Sequence, residues 1–179
     1  YEQVDLTLLL REIIDDFELV IRDKGAKIVV GEMPVIEAIP GLVRQIFQNL
    51  LSNALKFSRP GVPPLVSIDA RGLAKRSFMS MPKDNGPYTC ITVKDNGIGF
   101  DPQFSVNIFN IFQRLHSKDK YEGTGIGLAI TKKIVEKHNG IIRADGREQE
   151  GAIFTLILPT KQKQFKNGSQ SEIEKGITG

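Results

Sequence analysis

One amphipathic helix, predicted around residues 45–57, constrains the fold of this chain more than any other segment. Its apolar side chains recur at three- and four-residue spacing and can face a core; they are Val43, Ile46, Phe47, Leu50, Leu51 and Ala54. The opposite side carries the amides Gln45, Asn49 and Asn53 at intervals of four, and Lys56 follows. Amide oxygens can complete a magnesium shell, and a lysine beside them can meet a phosphate. The stripe indicates either a phosphate-binding site or an ordinary solvated face.

Composition argues against a membrane-spanning, disulfide-bonded or zinc-binding protein. The chain has 179 residues, a net charge of +3 and no apolar run near the roughly 20 residues that span a bilayer. The single cysteine, Cys90, lies in an alternating apolar run and is expected to be a core thiol. His116 and His138 have no partner at zinc-ligand spacing. We expect a monomeric, cytoplasmic domain without a disulfide or a zinc site.

Two further helices are predicted, over residues 6–21 and 126–138. Gly25 is expected to end the first in a left-handed conformation, and Gly140 to end the second. A turn containing Pro34 and Pro40 is expected to lead into the central helix.

Alternating apolar and polar residues predict five strands, at residues 27–30, 65–71, 88–94, 141–144 and 152–158. Residues 72–87 lose this pattern and indicate a long loop at the tip of a hairpin. Residues 161–179 are polar and almost without apolar periodicity. We therefore predict a domain over residues 1–160 followed by a flexible tail.

The strand at residues 88–94 runs directly into Asp95, which Gly97 and Gly99 follow at a spacing of two. Glycines let a ligand approach the backbone, and a carboxylate at a strand end can accept a hydrogen bond from an exocyclic amine such as that of adenine. A common turn with no ligand would have the same pattern.

A second glycine motif, residues 123–128, opens the last predicted helix. Its free N–H groups and the helix dipole suit an anion, and glycines leave room for a phosphate. No Gly-Lys-Ser/Thr follows, and no hydrophobic strand precedes it, so the motif is neither a Walker loop nor a convincing dinucleotide fingerprint. The alternative is a helix start that serves packing alone.

Between the glycine motifs, Phe109 and Phe112 can anchor a short helical turn in the core. The polar residues after them have the composition of a mobile flap. Arg114, tied to the anchored turn, is the best candidate there for a charge near a triphosphate.

Together these four motifs, at residues 45–57, 95–99, 109–114 and 123–128, resemble the conserved boxes of one family in order and spacing. That family comprises the catalytic and ATP-binding domains of two-component sensor histidine kinases, within the GHKL (Bergerat-fold) ATPases. The resemblance covers about residues 4–160. It implies an α/β two-layer sandwich: a mixed, mainly antiparallel sheet covered on one face by about three helices, with an ATP lid.

The resemblance also implies roles for individual residues. Asn53 would ligate Mg²⁺, Asn49 would lie beside the phosphates, and Lys56 would contact a phosphate. Phe57, where many members have tyrosine or histidine, would stack beside adenine without a hydroxyl hydrogen bond. Arg114 would act on the γ-phosphate from the lid.

Where the adenine binds, Asp95 would accept a hydrogen bond from the adenine amine, in a pocket shaped by Gly97, Ile98 and Gly99. Backbone amides at the start of the last helix would bind phosphate; the motif consists of Gly123, Thr124, Gly125, Ile126, Gly127 and Leu128.

The resemblance implies ATP and Mg²⁺ as cofactors and a histidine on a separate helical dimerisation domain as the phosphoacceptor, with a response regulator as an indirect partner. No His-Glu-x-x-x-Pro-like sequence occurs here. His116 lies in the predicted lid, and His138 is expected to cap a helix or to face solvent. The expected activity is therefore that of a catalytic domain without its own acceptor.

Three alternatives remain open. An ATPase of the gyrase, mismatch-repair or chaperone type would carry a glutamate base where this chain has Asn49, and an amide cannot take a proton from water. A relative that phosphorylates protein serine is the second. A non-catalytic or nucleic-acid-binding module is the third, and the nearly neutral body argues against nucleic acid.

Overall fold

A computed structural model of the chain describes residues 1–73, 87–110 and 125–162. Four α-helices lie in these ranges: α1 (Leu6–Asp16), α2 (Glu18–Asp23), α3 (Pro40–Lys56) and α4 (Gly127–Lys137). Seven strands accompany them: β1 (Glu2–Asp5), β2 (Lys27–Val30), β3 (Val35–Ala38), β4 (Leu65–Leu73), β5 (Tyr88–Asp95), β6 (Ile141–Arg147) and β7 (Gly151–Pro159). Two 3₁₀ turns, Pro102–Phe104 and Asn107–Phe109, follow β5.

Five strands form the main sheet, in the order β2-β4-β5-β7-β6. β2 is parallel to β4, and every other pair in this sheet is antiparallel. Strands β1 and β3 form a separate antiparallel pair. The expected mixed, mainly antiparallel sheet is confirmed.

The register places apolar side chains in rows across one face of the sheet. One row, all buried, consists of Ile68, Val93, Phe154 and Ala144. Helices α1, α3 and α4 supply the other half of the core, and seven α3 residues between Val43 and Leu55 are buried. Because side chains alternate across a strand, the neighbouring row is polar and lies on the outer face; it consists of Asp69, Thr92, Thr155 and Arg143.

The first predicted helix is two helices, divided at Phe17. The Phe17 N–H bonds to the Ile14 carbonyl three residues back, which tightens the turn before α2 begins. Ile14, Phe17 and Ile21 still pack against the core on both sides of the break. Apolar spacing is the same with or without the division, and the sequence pattern could not reveal it.

Strands β1 and β3 were not predicted, and the turn expected between Pro34 and Pro40 contains β3. β1 has only one apolar residue, and β3 lies between two prolines, which favour a turn. They are tied to the rest of the fold by buried Val4, Ile36 and Ala38.

Gly25 has the left-handed φ of +58° predicted for it, but at the end of α4 this role belongs to Asn139, with φ of +56°. Gly140 lies two residues after His138, the C-cap residue of α4. Gly140 is required for close packing, because a Cβ there would lie 2.6 Å from the Ile157 carbonyl oxygen. Asparagine is the residue that tolerates the left-handed region best after glycine.

His138 takes the C-cap position of α4, as expected, but it does not face solvent: 1% of it is exposed. Its Nε2 accepts a hydrogen bond of 3.0 Å from the Ile39 N–H at the start of α3, so Nδ1 carries the proton and donates to the Ile134 carbonyl at 2.8 Å. Gln162, 8% exposed, donates from Nε2 to the His138 carbonyl. The packed structure therefore extends two residues past the predicted boundary at 160. Residues 163–179 lie outside the described ranges.

Within those ranges, no helix combines the length and hydrophobicity needed to cross a membrane.

Acid is expected to destabilise the fold through His138. Burial lowers the pKa of His138 below its ordinary 6.5; the bond to the Ile134 carbonyl opposes the shift, and the charges of Lys137 and the terminal amine add to it. A lowered folded pKa means that the unfolded chain binds the proton more readily, so the contribution is complete above pH 6.5 and is lost as pH falls below it. Melting temperature measured from pH 8 to pH 5.5 should fall across this window.

In a His138→Gln variant, which starts less stable, the fall across the same window should be smaller. Equal pH dependence in the two proteins would contradict the assignment to His138.

Candidate functional site

The polar edge of α3 faces the first turn of α4. Asn49 donates through Nδ2 to the Gly127 carbonyl at 3.1 Å and to Thr131 Oγ1 at 3.2 Å. Thr131 in turn donates to the Gly127 carbonyl at 2.9 Å. The Asn49 amide nitrogen is therefore occupied, while its oxygen accepts none of the hydrogen bonds found in the described ranges. Residues 45–57 and the second glycine motif, which were separate sequence predictions, meet at this contact.

Asn53, Lys56 and Phe57 continue the edge toward the C-terminal end of α3. Asn53 is half-buried, and its carbonyl accepts the Phe57 N–H at 2.9 Å as the helix ends. The Lys56 ammonium lies 4.7 Å from the centre of the Phe57 ring, a cation–π contact. A cation is thus held over an aromatic ring at the end of α3.

Asp95 ends β5, and its Oδ1 accepts two backbone hydrogen bonds, from Gly97 at 2.8 Å and from Ala152 at 3.2 Å. Burial raises the pKa of this carboxyl, and the two hydrogen bonds work in the opposite direction. Across the parts of the chain that the structure covers, Oδ2 accepts no hydrogen bond. The site therefore combines a partly desolvated carboxylate with one oxygen available to a donor.

The loop after Asp95 is held on two sides. Ile98 donates its N–H to the Phe57 carbonyl at 2.9 Å and accepts at its own carbonyl from Gln149 at 2.7 Å. These bonds connect the end of α3, the first glycine motif and the turn between β6 and β7. The Asp95 loop and the Asn49 contact are therefore linked to the same helix, about two turns apart.

Both glycines of the first motif are required by close approach. A Cβ at Gly97 would lie 2.9 Å from Asp95 Oδ1 and closer still to the Phe57 carbonyl oxygen. Gly99 has φ of +62°, and a Cβ there would overlap the Arg147 carbonyl. The motif is more than a turn signal, because the backbone must fit between two neighbouring segments.

The second glycine motif is described from Gly125 onward. Gly125 has φ of +70°, Ile126 is the N-cap residue and Gly127 begins α4, with Leu128 next. The free N–H groups of this first turn thus lie beside Asn49. Gly123 and Thr124 fall outside the described residues, as do Phe112 and Arg114. Phe109 is buried, as expected, and meets Phe154 edge-on with ring centres 6.5 Å apart.

Sequence reasoning missed Thr131, Arg59 and Gln149. Thr131 follows Gly127 by four residues on α4, a spacing that could have suggested a shared face. Arg59 donates to the carbonyls of Asn96 at 2.8 Å and Gln149 at 2.9 Å. Nothing in the sequence relates Arg59 to a turn ninety residues later.

A cavity of about 700 Å³ lies between α3 and α4 and has an apolar wall and basic side chains around it. Its lining includes Leu42, Phe109, Ile130 and Lys133 but not Asn53 or Asp95. Gln45, Phe109 and Ile126 also line it, so the cavity adjoins three of the four motifs without reaching Asn53 or Asp95. Among the described residues, no cluster of three histidine, cysteine, aspartate or glutamate side chains could hold a metal.

The chain belongs to the family of histidine kinase-, DNA gyrase B- and HSP90-like ATPases, whose sequence model matches residues 38–162. It is 41% identical over 154 residues to cyanobacterial phytochrome A of Nostoc sp., an alignment that covers 85% of this chain and 18% of that protein. It is 31% identical over 169 residues to the sensor histidine kinase WalK of Bacillus subtilis, covering 91% of this chain and 25% of that one. The chain thus spans at most about a quarter of these two relatives.

Solved structures agree with this assignment. The mycobacterial sensor histidine kinase MprB matches with a TM-score of 0.65 and 26% identity, over 91% of this chain and 99% of that one. Full-length ShkA in complex with AMPPNP matches with a TM-score of 0.69 and 27% identity, over 90% of this chain and 31% of that one. The resemblance drawn from the motifs and the Bergerat fold it implied are both confirmed.

Gly99 should tolerate alanine far less well than another left-handed glycine does. Gly25 has φ of +58° with nothing within 4 Å of an added Cβ, so Gly25→Ala should cost only the conformational penalty of about 1–2 kcal/mol. Gly99→Ala adds an overlap with the Arg147 carbonyl and should cost about 2–5 kcal/mol in the free energy of unfolding. Chemical denaturation of the two variants measures the difference, and equal costs would contradict the described packing of the first glycine motif.

Proposed function

We propose that this chain is the catalytic domain of a sensor histidine kinase, which transfers the γ-phosphoryl group of ATP to a histidine on a separate helical dimerisation domain. The observation that supports this best is the double attachment of one α3 edge. Asn49 bonds to the start of α4, and the Phe57 carbonyl bonds to the loop that follows Asp95. A base-binding carboxylate and a phosphate-binding helix start are thereby held by a single rigid element.

At the base end, Asp95 would accept the exocyclic amine of adenine on Oδ2. Its Oδ1 is already engaged by two N–H groups, which fixes the orientation of the carboxylate. The glycines of this loop keep side chains out of the pocket, and Phe57 would stack beside the ring. Accepting a hydrogen bond from the ligand also compensates part of the desolvation that raises the Asp95 pKa.

At the phosphate end, the N–H groups of the first turn of α4 and the Lys56 ammonium would bind the phosphate oxygens. Asn53 would hold Mg²⁺ through its amide oxygen, a neutral donor that Mg²⁺ accepts readily. Held there, the ion would supply positive charge beside the phosphates. Arg114 would add positive charge at the γ-phosphate. Phosphoryl transfer needs positioning and charge neutralisation above all, and these residues supply both.

Asn49 favours the kinase over an ATPase. An ATPase of this fold needs a general base to activate water, and an amide whose nitrogen donates to Gly127 and Thr131 is unsuited to that role. A serine-directed kinase remains a second candidate, without a specific observation in its favour. The partners we propose are ATP and ADP, the helical domain with its histidine and, through that domain, a response regulator. We propose a cytoplasmic location, no nucleic-acid partner and a monomeric domain.

An Asp95→Asn variant should bind ADP about 10- to 100-fold more weakly, the loss of one charge-assisted hydrogen bond worth about 1.5–3 kcal/mol. Asparagine keeps the Oδ1 acceptor for Gly97 and Ala152 but presents an amide donor toward the adenine amine.

The same variant should keep or gain thermal stability, although it loses affinity for ADP. A raised folded pKa means that the ionised carboxylate costs stability at pH 7, and the cost vanishes as pH falls below 3.8. The variant should therefore melt at or above the parental temperature at pH 7.

Calorimetric titration and thermal melting test this pair of effects. The exposed Asp69→Asn on β4 is the matched control and should leave ADP affinity unchanged. If Asp95→Asn binds ADP as tightly as the parent protein does, the assignment of the base-binding carboxylate is wrong.

The chain alone should hydrolyse ATP near the uncatalysed rate although it binds ATP. Asn49 stands where an ATPase of this fold would carry its base, no His-Glu-x-x-x-Pro-like acceptor sequence occurs in the chain, and general-base assistance is commonly worth 10²–10⁴-fold. A steady-state phosphate-release assay should show this deficit. Addition of the helical domain with its histidine should produce an acid-labile, alkali-stable phosphoprotein.

The Asn53→Ala variant serves as the control for that experiment and should abolish transfer without unfolding the domain. Turnover on the order of 1 s⁻¹ by the chain alone, within the range of phosphoryl-transfer enzymes, would favour the ATPase instead.

A further inference from the structure

Arg59 lies three residues beyond the end of α3 and joins two segments that are distant in sequence. Its Nε donates to the Asn96 carbonyl at 2.8 Å, and its Nη1 donates to the Gln149 carbonyl at 2.9 Å. Asn96 is the residue directly after Asp95, and Gln149 lies in the turn between β6 and β7. One planar guanidinium thus joins the backbone of the first glycine motif to the β6–β7 turn.

Gln149 has a φ of +62°, which is uncommon for a residue other than glycine. Both of its backbone groups are used: the N–H donates to the Ile98 carbonyl at 2.7 Å, and the carbonyl accepts from Arg59. The costly conformation is therefore maintained by contacts with the motif and with Arg59. Asn96 is also held from the other side, where its side chain bonds to Leu65 and Pro63 at 2.8 and 3.1 Å.

We infer that Arg59 is a positioning residue for base selection: it fixes the Asp95 loop between α3 and the β6–β7 turn, and so sets the preference for adenine. This rests on the proposed binding of adenine by Asp95. The two described hydrogen bonds of the guanidinium end on protein carbonyls next to the base end of the pocket. Its effect therefore reaches the nucleotide through the direction of the Asp95 carboxylate.

The test compares ADP with inosine diphosphate, which carries an oxygen in place of the 6-amino group. Affinities for both are measured by calorimetry in the parent protein, Arg59→Gln, Asp95→Asn and the double variant. Arg22→Gln is the matched control, because the Arg22 side chain is 68% exposed on α2. Arg59→Gln should lower ADP affinity about five- to tenfold, a loss typical of positioning effects on one hydrogen bond, and should change inosine diphosphate affinity less than about twofold.

The double variant should bind ADP within about twofold of Asp95→Asn alone, since residues that act through one another are not additive. Equal losses for both nucleotides, or multiplied losses in the double variant, would overturn the inference. So would a lower melting temperature with an unchanged ratio of the two affinities, the result expected of a purely structural arginine.

Should Arg59→Gln fail to fold, Arg59→Lys takes its place. The same loss of preference for ADP over inosine diphosphate is expected, because one ammonium cannot reproduce the two hydrogen bonds of the guanidinium. Failure of the proposed function has a different signature. In that case the parent protein itself would not bind ADP or would not prefer it to inosine diphosphate, and both proposals would fall.

Discussion

The hydrogen bond from the Ile98 N–H to the Phe57 carbonyl, 2.9 Å long, is the interaction on which the arrangement of the site depends. It joins the end of α3 to the loop after β5, and that contact is possible because Gly97 has no side chain to separate them. About two turns earlier in the helix, the Asn49 amide joins α3 to α4. The helix is fixed against the sheet by its apolar face, so its polar edge sets the distance between the two glycine motifs.

This arrangement puts stability and function in opposition at one residue. The Asp95 carboxylate is desolvated, and its pKa is raised, yet the proposed recognition of adenine needs it ionised with one oxygen free. Backbone donors from Gly97 and Ala152 offset part of that cost. An ionisable group that is buried at such a cost in stability is typical of functional sites, because activity there needs the charge.

Much of this could be predicted because its signals are local. The periodicity of residues 43–55 defined the core face of α3, and the Asp-x-Gly-x-Gly and Gly-x-Gly-x-Gly patterns located both loops. The break at Phe17 was not predictable, since apolar spacing is satisfied on both sides of it. The contact of Arg59 with Gln149 and the burial of His138 under Gln162 depend on tertiary packing, which no local pattern encodes. The roles of all the site residues in nucleotide binding stay predictions, and Arg114, Gly123 and Thr124 also lie outside the described residues.

The most direct test of the central claim is a crystal structure of the domain with Mg²⁺ and a non-hydrolysable ATP analogue. The account predicts the adenine amine within about 3 Å of Asp95 Oδ2, the usual length of such a hydrogen bond. It also predicts the Asn53 amide oxygen on the metal and the phosphates at the first turn of α4. A nucleotide bound in the cavity between α3 and α4, or an adenine without contact to Asp95, would contradict it.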